Sequence, residues 1–119
     1  MRQITIGYFN DKNNSYPELP IAFENTSNQE EKEKAINLLY EIDRNNTGRR
    51  LHYKGYSRCR ICDCVNGSSE LEIIVKSDKI KTKFIIPEGY KHYIEKHNVK
   101  PDMENLIKLQ ESLKLKTSS

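Results

Sequence analysis

The chain has no tryptophan among its 119 residues, and only 35% of them are hydrophobic. No apolar run approaches the ~20 residues that a membrane-spanning helix requires, and no signal peptide opens the sequence. A chain of this length forms one domain with a modest core, and such small cores commonly depend on a disulfide or a bound metal. We therefore expect a single domain, residues 1–119, whose small core is supplemented by a disulfide or a bound metal.

The cysteine count argues against a disulfide framework. Cys59, Cys62 and Cys64 are three, and an odd number argues against a closed set of disulfides. Free thiols are typical of a reducing compartment, so we expect a cytoplasmic protein. The sequence also shows no glycine-rich phosphate loop and no evident Ser–His or Cys–His nucleophile. These absences favour a binding role over a catalytic one.

The sequence does contain a full set of ligands for one metal ion. Cys59 and Cys62 form a C-x-x-C pair, and His92 and His97 form an H-x-x-x-x-H pair. Zinc prefers thiolate and imidazole, usually as four ligands in a tetrahedron. The sequence therefore predicts a zinc site at these four residues. Because residues five apart on an ideal helix lie about 140° from each other, we expect the helix to tighten or fray near His97.

The spacing between the two pairs differs from that of the short zinc finger. Twenty-nine residues separate Cys62 from His92, where a short finger has about a dozen. That gap has room for a β-hairpin. The sequence therefore predicts a zinc knuckle, the tight turn at Cys59–Cys62, then strands, then a helix that returns to the metal, as in treble-clef-like sites. Cys64 is an alternative ligand, although its closeness to Cys62 would strain the turn. We interpret His52 as an exposed or hydrogen-bonded strand residue.

Charge is distributed unevenly along the chain. Residues 1–43 carry a net charge of −4 and residues 44–119 a net charge of +7. No acidic residue lies between Arg44 and Cys62. Arginines beside aromatic rings are typical of nucleic-acid sites, where the cations contact phosphate and the rings stack on bases. The candidate residues are Arg49, Arg50, Lys54, Arg58, Arg60, Tyr53 and Tyr56; the alternative is a solvated basic strand with its tyrosines packed inward.

The hydrophobic pattern predicts an α+β fold with a small antiparallel sheet and two to three helices. Strands are expected at residues 2–9, 49–57, 70–76 and 80–86, and Asn66-Gly67 is expected to form a turn. A capping box of Ser27 and Glu30 should begin an amphipathic helix that ends near Arg44. Residues 1–48 would hold the first strand, an arm and this helix, residues 49–101 the zinc module, residues 102–116 a last helix, and residues 117–119 a frayed tail.

Several of these runs resemble a group of small, uncharacterised bacterial proteins that are distantly similar to zinc fingers. The resemblance covers residues 53–101 and rests on residues 55–62, Asn66-Gly67-Ser68, Glu70, residues 87–90 and residues 92–97. In that group an aromatic residue often precedes Pro-Glu-Gly, whereas this chain has Ile86 there. The resemblance implies a stand-alone zinc-binding domain and brings no assigned activity.

Three functions remain open. The first is a zinc-stabilised module that binds nucleic acid through its basic surface. The second is a zinc-stabilised module that binds a protein partner through the arm at residues 10–26 and the last helix. The third function is a zinc-dependent hydrolase or nuclease with an open site. It would use Cys59, Cys62 and one histidine as ligands, with Glu70 or Glu88 as general base. The sequence favours a non-catalytic module and leaves the oligomeric state undefined.

Overall fold

The computed structural model describes residues 2–45, 48–77 and 79–117, and it confirms the α+β fold. Among these residues, no helix is both long enough and apolar enough to cross a membrane. The turn predicted at Ser77-Asp78 and the end of the tail lie partly outside the described residues. The elements in chain order are β1 (Arg2–Thr5), α1 (Gln29–Asn45), β2 (Arg49–Arg58), β3 (Val65–Ser77), β4 (Ile80–Pro87), α2 (Tyr90–His97) and α3 (Met103–Thr117).

The four strands form one sheet in the order β1-β4-β3-β2. The predicted antiparallel pairing holds for β2, β3 and β4, but β1 lies parallel to β4, with Ile4 opposite Phe84. Since a helix and two further strands separate β1 from β4 in the chain, no hairpin imposes an antiparallel direction on this pair. The sheet is therefore mixed.

β1 ends at Thr5 rather than at the predicted Phe9, because the chain turns at Gly7. This glycine has a φ of 90°, and a Cβ atom there would collide with the ring of Tyr90. A residue with a side chain would be strained by the backbone angle and blocked by the ring. After the turn, Phe9 packs against Tyr90 and Tyr93 of α2, while the Tyr8 hydroxyl bonds to that of Tyr53 in β2.

All three helices contribute to one core on one face of the sheet. Leu71 pairs with Ile86 and Ile73 with Phe84, so alternate residues of β3 and β4 face the helices, as predicted. The alternation of Phe84 and Ile86 would also place Ile80 on the inward face, but Ile80 is 58% exposed because it pairs with Ser77 at the far end of the hairpin. The helices bury the predicted stripes: Ala35, Leu38 and Ile42 from α1, and Leu106, Leu109 and Leu113 from α3.

The capping box of α1 lies one residue later than predicted. The backbone N–H of Glu31 donates to Asn28 Oδ1 at 2.8 Å, and that of Asn28 donates to a Glu31 carboxylate oxygen at 3.2 Å. Ser27 does not cap the helix, because its hydroxyl donates to the carbonyl oxygen of Asn98 instead. The serine therefore connects the start of α1 to the end of α2.

The predicted turn at Asn66-Gly67 is wrong. Both residues lie within β3, where Gly67 pairs with Ser57 and Val65 pairs with Arg58. The chain reverses earlier, through residues 59–64, so the C-x-x-C segment is itself the loop of the β2–β3 hairpin. Gly67 is needed for space rather than for turning, since a Cβ atom there would lie 2.9 Å from the side chain of Glu88.

Candidate metal centre

The hairpin loop holds the two cysteines of the C-x-x-C pair in a tight turn. The backbone N–H of Cys59 donates to the Cys64 carbonyl at 2.8 Å, and that of Asp63 donates to the Cys59 carbonyl at 2.9 Å. Asp63 reverses the chain with a φ of 60°. The N–H of Ile61 points at Cys59 Sγ, 3.4 Å away. Backbone donors aimed at sulfur favour the thiolate, which is the form that binds a metal.

Helix α2 positions the two histidines and ends directly after the second. Asn98 adopts a left-handed conformation, with a φ of 51°, and its N–H donates to the Tyr93 carbonyl. The N–H of Val99 bonds to the same carbonyl at 3.2 Å. The last turn is thus widened and closed by a left-handed cap, rather than tightened. The rings of His92 and His97 lie with their centroids 5.1 Å apart.

The structure brings together the four residues that the sequence singled out. One ligand atom from each of Cys59, Cys62, His92 and His97 lies within 4.8 Å of all the others. Cys62 Sγ and His92 Nε2 are 3.5 Å apart. Ligand atoms in a tetrahedral zinc site are separated by roughly 3.3–3.8 Å, so the cluster needs only a small contraction around an ion. A metal ion could bind here.

Neither alternative ligand belongs to this cluster. Cys64 is exposed and is not part of the four-residue group, although its backbone frames the turn. His52 is an exposed residue of β2, as predicted. Both histidines of the H-x-x-x-x-H pair reach the cluster, so a site of three cysteines and one histidine is not what the geometry favours.

The best evidence for a ligand role is the hydrogen bonding of His97. Its Nδ1 lies 3.2 Å from a carboxylate oxygen of Glu24, while its Nε2 is buried and has no hydrogen-bond partner among the described residues. A buried polar atom left unpaired costs about 1–3 kcal/mol. When Nδ1 donates to the carboxylate, Nε2 presents its lone pair to the cluster. A carboxylate behind an imidazole is the usual support for a metal-binding histidine.

The sulfur atoms of the cluster have different electrostatic surroundings. The backbone N–H of Cys64, followed by His92 and His97, lowers the pKa of Cys62 to about 6. Burial raises the pKa of Cys59. The hydrogen bond and charge of Cys62 raise the pKa of the exposed Cys64. Without a metal, the cluster therefore holds its first thiolate at Cys62 at neutral pH.

A second, smaller core surrounds the cluster. Cys59, Tyr93 and Val99 are buried there, with Phe9 and Ile61 packed against them. The Tyr93 hydroxyl accepts a hydrogen bond from the backbone N–H of Arg60 at 2.7 Å. Burial is the main cause that raises the pKa of Tyr93 to about 12, so its hydroxyl stays protonated. Helix α2 thus supports the knuckle directly.

The segment before α1 is attached to the end of α2, which the sequence did not reveal. The backbone N–H of Asn25 donates to the His97 carbonyl at 2.9 Å, and the N–H groups of Thr26 and Ser27 both donate to the Asn98 carbonyl at 3.0 Å. Glu24 reaches His97 in the same stretch. No pattern in the sequence marks Glu24, because it lies 73 residues from its partner.

The basic residues proposed for nucleic acid do not share one surface. Arg49 faces the side of the sheet without helices and pairs with Glu72 at 3.1 Å. Arg50 lies opposite Leu71 on the helical side and bonds to Asp43 at 2.7 Å. The strand register then shifts between His52 and Ser57, which makes a bulge. These first two arginines are held by acidic partners within the domain.

The predicted residues from Tyr53 to Arg60 lie closer in the chain to the C-x-x-C loop. Lys54 and Tyr56 are exposed in the bulge of β2. Arg58 donates to the Asp63 carbonyl at 3.0 Å, and the Arg60 guanidinium lies 5.1 Å from the centre of the Tyr16 ring. The Tyr53 hydroxyl bonds to Tyr8 at 2.6 Å. Part of the predicted set thus stays together around the knuckle.

The two candidate general bases have structural roles. Glu88 accepts hydrogen bonds from the Ser68 N–H at 3.2 Å and the Ser69 hydroxyl at 2.9 Å. Glu70 is paired within the sheet, opposite Pro87 and Leu51. Neither belongs to the four-residue cluster.

We compared the chain with protein-family models, with curated proteins and with solved structures, and nothing matches in any of the three comparisons. The resemblance to small bacterial zinc-binding proteins therefore gains no support from them and stays a prediction. The functional argument rests on the site itself.

Proposed function

We propose that the protein is a zinc-stabilised, non-catalytic binding module. The observation that carries this proposal is the buried, unpaired Nε2 of His97, in an imidazole whose other nitrogen meets Glu24. Two thiolates and two imidazoles are a ligand set that zinc favours, whereas calcium and magnesium prefer oxygen ligands. Cys59, Cys62, His92 and His97 would hold the ion. A bound zinc ion would join the hairpin loop to α2.

The proposed role of the metal is structural, because four protein ligands leave no open position for a substrate. Among the described residues, the core around the ligands buries only Cys59, Tyr93 and Val99, and the hairpin loop has little other apolar support. A metal that ties the hairpin loop to α2 would replace the missing apolar burial. Zinc would then be part of the folding energy of this region.

A nucleic acid is the partner that the charges favour. Residues 44–119 carry the net charge of +7, and Lys54, Arg58 and Arg60 lie in or just before the C-x-x-C segment in the sequence. Among the described residues, these three form no ion pair, unlike Arg49 and Arg50. Their charge is therefore more available to phosphate groups.

A protein partner is the second candidate, and one observation favours it. Ile21 and Phe23 in the arm are 57% and 63% exposed. Exposed apolar side chains next to one another are typical of protein contacts. A stoichiometric protein that co-purifies after nuclease treatment, and is lost in an Ile21→Ser/Phe23→Ser double variant, would favour this candidate.

A zinc-dependent hydrolase or nuclease is the third candidate. The exposure of Cys62 favours it, since one side of the cluster is open to solvent. Cobalt substitution separates the two kinds of site. A closed tetrahedral site gives intense visible absorption that does not change with added anions, whereas an open site binds them and its spectrum shifts.

The metal content of purified protein tests the main proposal. We expect one zinc ion per chain by elemental mass spectrometry in the wild type. Zinc should be lost in Cys62→Ser and His92→Ala and retained in Cys64→Ser, which is the matched control two residues away. A wild-type protein without zinc after purification in metal-containing buffer would contradict the proposal, and retention of zinc in His92→Ala would favour the open site.

A further inference from the structure

A small cavity with aromatic walls lies beside the knuckle. It has a volume of about 120 Å³, and its side-chain walls include Tyr8, Phe9, Tyr53 and Tyr93. Two arginines, Arg58 and Arg60, also line it. The cavity unites three residues of the sequence-predicted basic set with three rings that the sequence did not connect to them.

The rings are fixed in place before any ligand arrives. The hydroxyl groups of Tyr8 and Tyr53 are hydrogen-bonded at 2.6 Å, and the rings of Phe9 and Tyr93 pack with their centroids 4.6 Å apart. Tyr93 also accepts the N–H of Arg60. Rigid aromatic walls reduce the ordering that binding a flat ring would require.

The charged residues that line the cavity are the two arginines, Arg58 and Arg60. Arg58 and Arg60 form no ion pair among the described residues, although Arg60 lowers the pKa of Asp11 as the weakest of several causes. Burial, the Tyr53 hydroxyl and the Glu70 carboxylate raise the pKa of Tyr8. A phosphate at the cavity would be attracted to the arginines. A ligand with an anionic group beside a flat, polar ring fits this arrangement.

We propose that this cavity binds one base of a single-stranded nucleic acid, which stacks against Tyr53 while the adjoining phosphate contacts Arg58. Base stacking on aromatic side chains and phosphate contacts from arginine are the two usual contributions to single-strand binding. A base inside a duplex is already stacked between its neighbours and is not available to this cavity. The inference rests on the proposed nucleic-acid partner and names where that partner is held.

A larger cavity of about 210 Å³ between α1 and the sheet fits this ligand less well. Its arginine, Arg50, is paired with Asp43, and its lysine, Lys91, is paired with Glu95. Its walls include aliphatic side chains such as Ile36, Leu39 and Leu71. Paired cations are less available to phosphate, so the cavity beside the knuckle is the better site.

Fluorescence anisotropy with the full, zinc-loaded chain tests the proposal. The probes are single-stranded DNA and RNA of about twelve nucleotides and mixed sequence, with duplexes of the same sequence for comparison. We expect Tyr53→Leu to raise Kd roughly 5- to 150-fold, the loss of one stacked base. Tyr53→Phe keeps the ring and should change Kd less than about twofold. Tyr40→Leu, an exposed tyrosine on α1, is the matched control and should bind as the wild type does.

A salt series tests the phosphate contact. Neutralising one phosphate contributes about 0.7 to the slope of log K against log salt for single strands. We expect Arg58→Gln to reduce the slope by about that amount, and Lys34→Gln, on the exposed face of α1, to leave it unchanged. Zinc content measured on each variant verifies that the knuckle is intact.

The outcomes separate the cavity from the partner. Single-strand binding that Tyr53→Leu leaves unchanged, or a preference for duplex, would overturn the cavity while nucleic-acid binding by the module stands. No binding of any probe at about 50 mM salt would overturn both the cavity and the nucleic-acid partner. The zinc measurement is independent of either result.

Discussion

The core under the sheet and the region around the four-residue cluster of Cys59, Cys62, His92 and His97 are stabilised in different ways. Among the described residues, fourteen buried residues form the first core, and three, Cys59, Tyr93 and Val99, are buried in the second. The first core is stabilised by apolar burial over long regular elements. The second joins a hairpin loop, the end of a helix and an arm, and such segments have too little apolar surface to hold themselves together.

The two regions also differ in what a bound ion would contribute. Apolar packing in the first core needs no ligand and tolerates small adjustments. In the second, the buried Nε2 of His97 has no hydrogen-bond partner among the described residues, which is unfavourable when no ion is present. Metal dependence in this chain should therefore be local to the second region.

Removal of the metal should give the largest effect. We expect a strong chelator to abolish hydrogen-exchange protection of the Arg60 and Asn25 amides, which bond to Tyr93 and His97. Amides in the middle of α1 and α3 should stay protected. Structural zinc contributes about 10–16 kcal/mol to small zinc-finger peptides. Equal loss of protection across all helices would show a single cooperative unit and would contradict the division.

Truncation of the first core should give the converse result. Leu106 is fully buried, and Leu106→Ala should lower the free energy of unfolding by about 2–5 kcal/mol. Zinc content should remain that of the wild type, because the ligands lie outside this core. Ile80→Ala, at an exposed site, is the control and should cost less than about 0.5 kcal/mol. Loss of zinc in Leu106→Ala under conditions where the chain is folded would show that the two regions are not independent.

The first core was largely predictable from the sequence. The stripe of Leu106, Leu109 and Leu113 has helical spacing, and Leu71 and Ile73 alternate as in a strand, so periodicity identifies their buried faces. Periodicity does not give pairing direction, and for that reason the parallel position of β1 was missed. The mistaken turn at Asn66-Gly67 has a similar origin, since the same dipeptide also fits an extended strand.

In the region of the candidate metal centre, the sequence identified only the four residues that lie together. Thiol and imidazole chemistry marks Cys59, Cys62, His92 and His97 in any sequence. The groups that support them carry no such mark. Glu24 is one of many acidic residues, and Ser27 fits a capping box that in fact forms at Asn28. Contacts between residues more than 70 positions apart depend on the whole fold, which local patterns do not specify.

The contact between Glu24 and His97 gives the third prediction. Removing the carboxylate in Glu24→Ala should weaken zinc binding about 10- to 100-fold, because it orients the imidazole and raises its basicity. Thermal stability of the zinc-saturated protein should change little. Competition with a chromophoric chelator measures the affinity. Glu18→Ala removes the same charge from an exposed site in the same arm and should leave zinc affinity unchanged; equal weakening in both variants would point to net charge rather than to the contact.

The smallest effect should separate two adjacent residues that belong to different regions. Asn28 caps α1, so Asn28→Ala should lower the free energy of unfolding by about 1 kcal/mol and leave zinc affinity unchanged. Ser27 instead holds the Asn98 carbonyl just after His97. Ser27→Ala loses one hydrogen bond worth about 0.5–1.5 kcal/mol, which should appear as a zinc affinity reduced by roughly 2- to 12-fold. Chemical denaturation with excess zinc and chelator competition measure the two quantities on the same samples. The hydrogen bonds of Ser27 and Asn28 place the boundary between the two regions at these residues. If Ser27→Ala lowered helix stability and Asn28→Ala lowered zinc affinity, that boundary would lie elsewhere.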